Sequence, residues 1–232
     1  MARRPDRAYG AAAAGKRAFD IALASLALLL AAPLLALAAL AVRIASPGPV
    51  LYRAARTGRD GRTFTMLKLR TMHVAAPGEA GSRITGPADP RVFALGALLR
   101  RTKLDELPQL VNVLRGEMSI VGPRPEDPEI VRRHYTAAQR ETLRVRPGLV
   151  SPGSIYHFTH GDALLAGADP EAAYAARLLP VKLELERVYV RRASLGYDLA
   201  LIARAASAIV RVGVLRRTHP EPPELRRISA GE

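Results

Sequence analysis

Residues 21–42 read IALASLALLLAAPLLALAALAV, twenty-two positions without a charge. Nine Leu, nine Ala, one Ile and one Val make up all but Ser25 and Pro33. Eighteen or more such residues describe a membrane-helix candidate, and at about 1.5 Å each this one measures roughly 33 Å. Its large aliphatics supply roughly 3 to 7 kcal/mol of insertion energy. A buried helix of a soluble domain is rarely this long and apolar on every side, so the chain is expected to associate with a membrane.

The flanks decide how it does so. Arg3, Arg4, Arg7, Lys16 and Arg17 precede the run against Asp6 and Asp20, while Arg43, Arg53, Arg56, Arg59 and Arg62 follow it against Asp60. A simple span carries its basic excess on one side. Here both flanks are basic, and Pro33 sits near the middle, where it removes a backbone donor and crowds the preceding turn. A helix broken at Pro33, entering and leaving on one face, would keep both flanks in the cytoplasm. A kinked span is the alternative, since prolines are tolerated in membrane helices. A signal peptide fits poorly, because its apolar core runs to about 15 residues at most.

Working outward, Ser46-Pro47-Gly48-Pro49 stops the helix. Extended segments Val50–Arg53 and Thr63–Lys68 around Gly58–Gly61 predict a β-hairpin. Residues 73–90 read as a loop rich in Gly, Pro and Ala, and apolar spacing predicts helices over Arg91–Arg101 and Leu104–Gly116. Val121–Pro128 is too proline-rich for a regular element. Further helices are expected over Glu129–Leu143 and along the amphipathic stretch Val181–Val214, interrupted at Gly196. The fold class is therefore α+β, mainly α: a monotopic membrane protein with a small hairpin and interfacial helices. Its parts are a disordered basic N-terminus (1–15), a re-entrant membrane helix (16–45), a catalytic domain (46–215) and a disordered tail (216–232).

Composition narrows the chemistry. The 232 residues include 35 Lys+Arg and 21 Asp+Glu, a formal net charge of +14, so an anionic partner is expected. Zero Cys excludes disulfides, thiolate zinc sites and a cysteine nucleophile. No Trp, four Phe and seven Tyr, without a stacking stripe, argue against nucleic acid. Basic residues beside apolar segments fit anionic lipid instead.

Three clusters carry possible chemistry. Asp105 and Glu106, before Pro108, either complement the start of a helix or work as a nucleophile or Mg²⁺ ligand with its partner. Arg124 between Pro123 and Pro125, with Glu126 next, is either a solvated turn or a guanidinium held ready for phosphate. Lys68 and Arg70, two apart on a strand, share a face and either grip one anion or form an ordinary charged edge. His157 and His160 near Asp162 lack a third placed metal ligand and read as loop residues.

In order along the chain, Lys16-Arg17-Ala18-Phe19-Asp20, the apolar run, Ser46–Val50, Lys68–Met72, Asp105–Ser119 and Val121-Gly122-Pro123-Arg124-Pro125 closely resemble the bacterial sugar transferases. These are small monotopic phosphoglycosyl transferases, and the resemblance covers about residues 15–150. It implies transfer of a sugar 1-phosphate from a UDP-sugar to undecaprenyl phosphate, with release of UMP, at the cytoplasmic face of a bacterial inner membrane. It further implies that Asp105 is the nucleophile and touches Mg²⁺, and that Glu106 assists in proton handling. Lys68, Arg70, Arg124 and Arg146 would hold phosphate charge, with Glu126 orienting one of them. The family's re-entrant helix agrees with Pro33 and the paired basic flanks.

Two departures stand out. Ala32 occupies a place where the family often has Ser, and Leu149-Val150-Ser151-Pro152-Gly153-Ser154 replaces the usual continuation after Arg146-Pro147-Gly148. With no further membrane helix before residue 16, the expected unit is the minimal catalytic one. The alternative from another class is a non-catalytic membrane scaffold. Neither the sugar, the glycan pathway nor the oligomeric state follows from the sequence.

Overall fold

The structure is a computed structural model that describes residues 10–74, 82, 84–87, 89–166 and 169–229. Helix α1 (Gly10–Ala45) is followed by a hairpin of β1 (Leu51–Thr57) and β2 (Thr63–Leu69). Next come α2 (Ala94–Thr102), a 3₁₀ turn (Leu104–Glu106), α3 (Gln109–Leu114), β3 (Ser119–Val121) and α4 (Pro128–His134). A 3₁₀ segment (Gln139–Arg144) leads to β4 (Gly148–Val150), α5 (Pro152–Leu164) and α6 (Pro170–Ala173). After a π turn come α7 (Leu179–Arg192), α8 (Leu195–Ala208), a second π turn (Ile209–Val214) and α9 (Pro223–Ser229).

Helix α1 is the one described helix long and apolar enough to cross a membrane. At 36 residues it measures about 54 Å. It is helical through Pro33, so the expected break is absent: only the donor at position 33 is lost, and the turns on either side hold the helix together. The helix also begins earlier than expected, at Gly10; the rest of the expected disordered N-terminus, residues 1–9, lies outside the described residues.

One narrow stripe of α1, through Asp20, Ala24, Ala27, Ala31, Leu35, Ala38 and Val42, is shielded. That spacing follows one helical face. Its first end is tied in by polar contacts. Lys16 Nζ donates to Asp198 Oδ2 at 2.7 Å, Arg17 donates to the carbonyls of Val113 and Leu114, and buried Asp20 accepts from the Ile120 amide at 3.1 Å. At the other end, Ala38 and Val42 pack with Leu69, Phe93 and Leu99. Between them Leu26, Leu29, Leu30, Leu34 and Leu37 face outward, fully apolar and uncovered.

The hairpin pairs in register from Leu51–Leu69 to Thr57–Thr63, with β1 ending at Thr57 instead of the expected Arg53. A second, parallel pair joins β3 to β4, Ser119 opposite Gly148 and Val121 opposite Val150. Too short to show alternation, it depends on close backbone approach: a Cβ on Gly148 would lie 2.1 Å from the Gly122 nitrogen. The main core gathers Met66, Leu110, Val113, Met118, Ile120, Ile155, Tyr189 and Leu201 beneath both sheets. A second cluster, around Ile130, Tyr135, Tyr174, Leu178 and Leu183, joins α4 to the α6–α7 region.

Three helical expectations shift. Glu129–Leu143 divides into α4 and the 3₁₀ segment, with Tyr135 extended between them. The 181–214 stretch breaks at Ala193–Ser194, where Ser194 caps α8 by accepting from the Tyr197 amide; Gly196 lies inside the helix. The tail is not devoid of structure, because α9 buries Glu224 against Arg204 and Tyr197 at 2.6 Å each. Half of the 73–90 loop lies outside the described residues.

Candidate active site

The acid pair sits at a sharp reversal. Helix α2 ends at Thr102, and Lys103 caps it in the left-handed region, φ 61° and ψ 14°. For a lysine this conformation costs about 1–2 kcal/mol. It turns the chain at once into the 3₁₀ turn, burying Asp105 and Glu106 opposite β2. Neither acid caps a helix; α3 begins after Pro108 without a side-chain cap. The helix-start reading therefore does not explain why two carboxylates are buried here.

Glu106 is held by cations. Arg124 donates to it through both terminal nitrogens, at 3.0 and 2.7 Å. Lys68 and Lys103 reach its Oε1 at 3.2 and 3.3 Å, and Gln109 Nε2 reaches its Oε2 at 3.3 Å. Burial alone would raise its pKa, but Arg124, Lys103 and Lys68 together hold it well below the carboxylate range. A carboxylate so firmly ionised is a poor proton carrier, and its place is that of an anchor for three cations. The proton-handling role expected for Glu106 has no support in this arrangement.

Asp105 is different. Its Oδ1 is buried with no hydrogen-bond partner, and burial, reinforced by the neighbouring Glu106 charge, raises its pKa. Lys68 is pulled down to about 8, mainly by burial, with Glu106 opposing and Arg124 adding to the shift. Asp105 is thus an under-solvated carboxyl group beside Lys68, which at about 8 is largely charged at neutral pH. Such a group gains from meeting an electrophile or a cation.

The surroundings suit Mg²⁺ in one specific sense. Gln109 Oε1, also buried, lacks a donor as Asp105 Oδ1 does, so two acceptor oxygens here face no hydrogen. Among the described residues no group of three His, Cys, Asp or Glu gathers to hold a metal alone. The donor set matches a hard cation that takes one carboxylate and completes its shell with substrate phosphates and water.

Other expected site residues are elsewhere. Arg70 is buried and spends its guanidinium on the turn that follows α1: Nε donates to the Pro49 carbonyl at 2.5 Å, and its terminal nitrogens donate to Ser46 Oγ and Ser46 O at 2.7 and 2.6 Å. It staples the helix end to the hairpin, so Lys68 and Arg70 do not share an anion; Arg70 lies just past the end of β2, where strand alternation no longer governs it. Glu126 orients none of the expected cations directly. It is buried, accepts from Tyr174 Oη at 2.6 Å and pairs with Lys182 Nζ. Arg146 donates through Nε to the Gly116 carbonyl at 3.0 Å and lines a separate cleft with Arg59, Arg62 and Arg115. Arg124 does stand beside the acid pair, bonded to Glu106.

Some neighbours were missed. The sequence assigns no role to Lys103, Gln109 or Glu186. Glu186 lies on α7, fully buried; its Oε1 accepts from the Arg124 amide at 3.2 Å and Ser151 Oγ at 2.7 Å, while Oε2 has no partner. Burial, opposed by the Ser151 bond and Lys182, pushes it up to about 7. The departure at 149–154 acquires a use here: Ser151 and Ser154 form a reciprocal capping box for α5. His157 and His160 are helical, not in a loop. His157 is half-buried, with its pKa held well below the usual imidazole value by desolvation first and then by nearby cations, and His160 stacks on Tyr156.

Comparison with known proteins identifies the chain's relatives. The sequence pattern of the family described as "Bacterial sugar transferase" matches residues 11–212. The chain is 39% identical over 189 residues to the UDP-glucose:undecaprenyl-phosphate glucose-1-phosphate transferase of Escherichia coli K12, covering 81% of this chain and 38% of that protein. The Caulobacter vibrioides protein of the same name is 36% identical over 200 residues, covering 84% and 69%. The exopolysaccharide production protein ExoY of Rhizobium meliloti is 36% identical over 208 residues, covering 84% of each. The chain therefore spans little more than a third of the Escherichia coli relative and most of the other two. The acid pair, its three cations and the long apolar helix all lie within the matched region, and the chain belongs to the bacterial sugar transferase family.

Proposed function

We propose that this chain transfers a sugar 1-phosphate from a UDP-sugar to undecaprenyl phosphate, releasing UMP, through a phosphosugar ester on Asp105. The observation that carries the reading is the contrast within one buried pair: Glu106 is saturated with cations, while Asp105 Oδ1 is unpartnered. The names of the relatives supply the substrate class, and glucose is the first donor to try.

In the first step an Asp105 oxygen attacks the β-phosphorus. The bond from that phosphorus to the bridging oxygen breaks, and UMP leaves with the electron pair. In the second, an oxygen of the lipid phosphate attacks the same phosphorus and returns the Asp105 carboxylate. Dividing the displacement in this way avoids direct approach of two phosphate anions. Lys68, Lys103 and Arg124, fixed by Glu106, stand ready to hold phosphate charge in a site poor in water, where such contacts are strongest. Asp105 and the pyrophosphate would hold Mg²⁺, which supplies charge neutralisation when bound. With Asp105 attacking as the carboxylate, no proton need move in either displacement.

The same reading places the protein on one side of the inner membrane, facing the cytoplasm. Support comes from α1, whose two ends are both seated on one globular body while its middle stays apolar and uncovered. A helix crossing the bilayer would carry one end away from that body. The basic flanks then both meet anionic head groups on the same face.

The test is turnover. Detergent-purified protein with Mg²⁺ and undecaprenyl phosphate is expected to release UMP from one member of a UDP-sugar panel, with UDP-glucose tried first. No release from any UDP-sugar would refute the proposal.

A further inference from the structure

Beside the acid pair lies a pocket with two unlike ends. Lys103, Glu106 and Arg124 form one end, and Leu107, Ile155, Phe158, Ala205 and Ile209 line the rest. It encloses about 160 Å³. An apolar cavity of about 150 Å³ takes up a benzene-sized molecule, so this one holds about a single five-carbon unit. Its inner wall is α8 and the following π turn, whose opposite side exposes Leu199, Val210 and Val214.

We propose that this pocket receives the first isoprene unit of the polyprenyl phosphate acceptor, with the lipid's phosphate turned toward Lys103 and Arg124. This rests on the reading of the chain as a polyprenyl-phosphate sugar phosphotransferase. Three observations carry it. The ligand must be apolar over most of its length and anionic at one end, because the walls have that distribution. The wall helix itself presents an apolar outer face, so the pocket borders the surface from which a lipid would arrive. And the walls offer little to a nucleobase: Ser154, the polar side chain among the apolar ones, already donates to the Ser151 carbonyl and accepts from the Ser151 amide. A base bound there would leave its polar edges unpaired, which disfavours it. Over Phe158 the space is taken by Lys103, whose Nζ lies 4.7 Å from the ring centre. The donor's uridine therefore binds outside this pocket, and the acceptor's lipid end inside it.

The chain has no Trp, so a single introduced indole reports on one place alone. Phe158→Trp in the full chain is titrated in detergent with farnesyl phosphate, farnesol, UDP-glucose and inorganic phosphate. Leu199→Trp on the outer face of α8 serves as the control for general partitioning of amphiphiles. The expected result is a saturable blue shift with farnesyl phosphate, a weaker one with farnesol, and at most a smaller shift with UDP-glucose or inorganic phosphate, whose charge meets Lys103 and Arg124 without filling the apolar walls. Adding Ala205→Phe, which fills the pocket, is expected to move half-saturation up by about tenfold or more, as loss of a buried hydrocarbon unit requires. The same substitution in the otherwise unaltered chain should raise the KM for the lipid acceptor by a similar factor and leave the KM for the donor within about twofold. A melting curve shows that this variant is folded; Ala205→Leu, a smaller filling, is expected to fall between it and wild type. A blue shift with UDP-glucose equal to or larger than that with farnesyl phosphate, or a response to amphiphiles no different from that of the control, would overturn the assignment. So would an unmoved acceptor KM in folded Ala205→Phe. Failure of the underlying reading looks different: wild type would release no UMP from any donor, whatever the reporter binds.

Discussion

At the residue scale, the two acids of one dipeptide have opposite surroundings, and a third acid nearby has a charge that depends on pH. Glu186, beneath Arg124, is raised to about 7, and its Oε2 is buried without a partner. A carboxyl whose folded pKa lies above its ordinary value of 4.5 stabilises the fold in its neutral form. That contribution is complete below about pH 4.5 and is lost as the pH rises through about 7. Glu186→Gln keeps an acceptor for Ser151 and the Arg124 amide but cannot ionise. It is expected to match wild type near pH 4.5 and to exceed it at pH 8 by about 1–3 kcal/mol, read from thermal melts at each pH. An equal difference at both values would show that the group does not titrate on unfolding.

At the element scale, the end of α1 is bound to the hairpin by one arginine. Arg70 makes three donations to the Ser46–Pro49 turn, and Ser46 Oγ also contacts His73 Nδ1 at 3.2 Å. Arg70→Lys keeps the charge but loses the planar fork, and should destabilise by about 2–4 kcal/mol. Donor KM in the surviving folded protein should change little. A normal melting temperature with a raised donor KM would restore Arg70 to the phosphate site. The contrast with Arg124 also marks how much the sequence could disclose. Asp105, Glu106 and Arg124 belong to a compact motif, and local signals located all three. The partners of Arg70, Glu126 and Arg146 are backbone carbonyls or side chains far along the chain, such as Lys182. No local spacing encodes such pairings. The β3–β4 ladder was hidden for a related reason: three residues buried on both faces show no alternation. Pro33 misled in the other direction, since a proline's local cost does not decide whether the flanking turns remain helical.

At the scale of the whole molecule, α1, α8 and the π turn after it display the apolar side chains that the +14 charge surrounds. Seating of both α1 ends on one body makes topology testable without a structure. The chain has no Cys, so Ala14→Cys and Arg43→Cys each introduce a single label site on exposed positions flanking the apolar run. In sealed inner-membrane vesicles of known orientation, both should react with an impermeant maleimide from the cytoplasmic side. Reaction of the two from opposite sides would refute the one-faced arrangement and leave a spanning helix. The long apolar run had indicated the membrane from composition alone. What it could not indicate was that Asp20 and Val42, at its two ends, would both be buried in the same domain.

The central claim is that Asp105 carries the sugar phosphate. Mass spectrometry of rapidly quenched protein, incubated with Mg²⁺ and the active UDP-sugar but no lipid acceptor, tests it most directly. Wild type is expected to gain the mass of one sugar phosphate on the peptide containing Asp105 and to release one equivalent of UMP, while Asp105→Asn gains nothing and releases none. An adduct that persists in Asp105→Asn, or full turnover by that variant, would contradict the account.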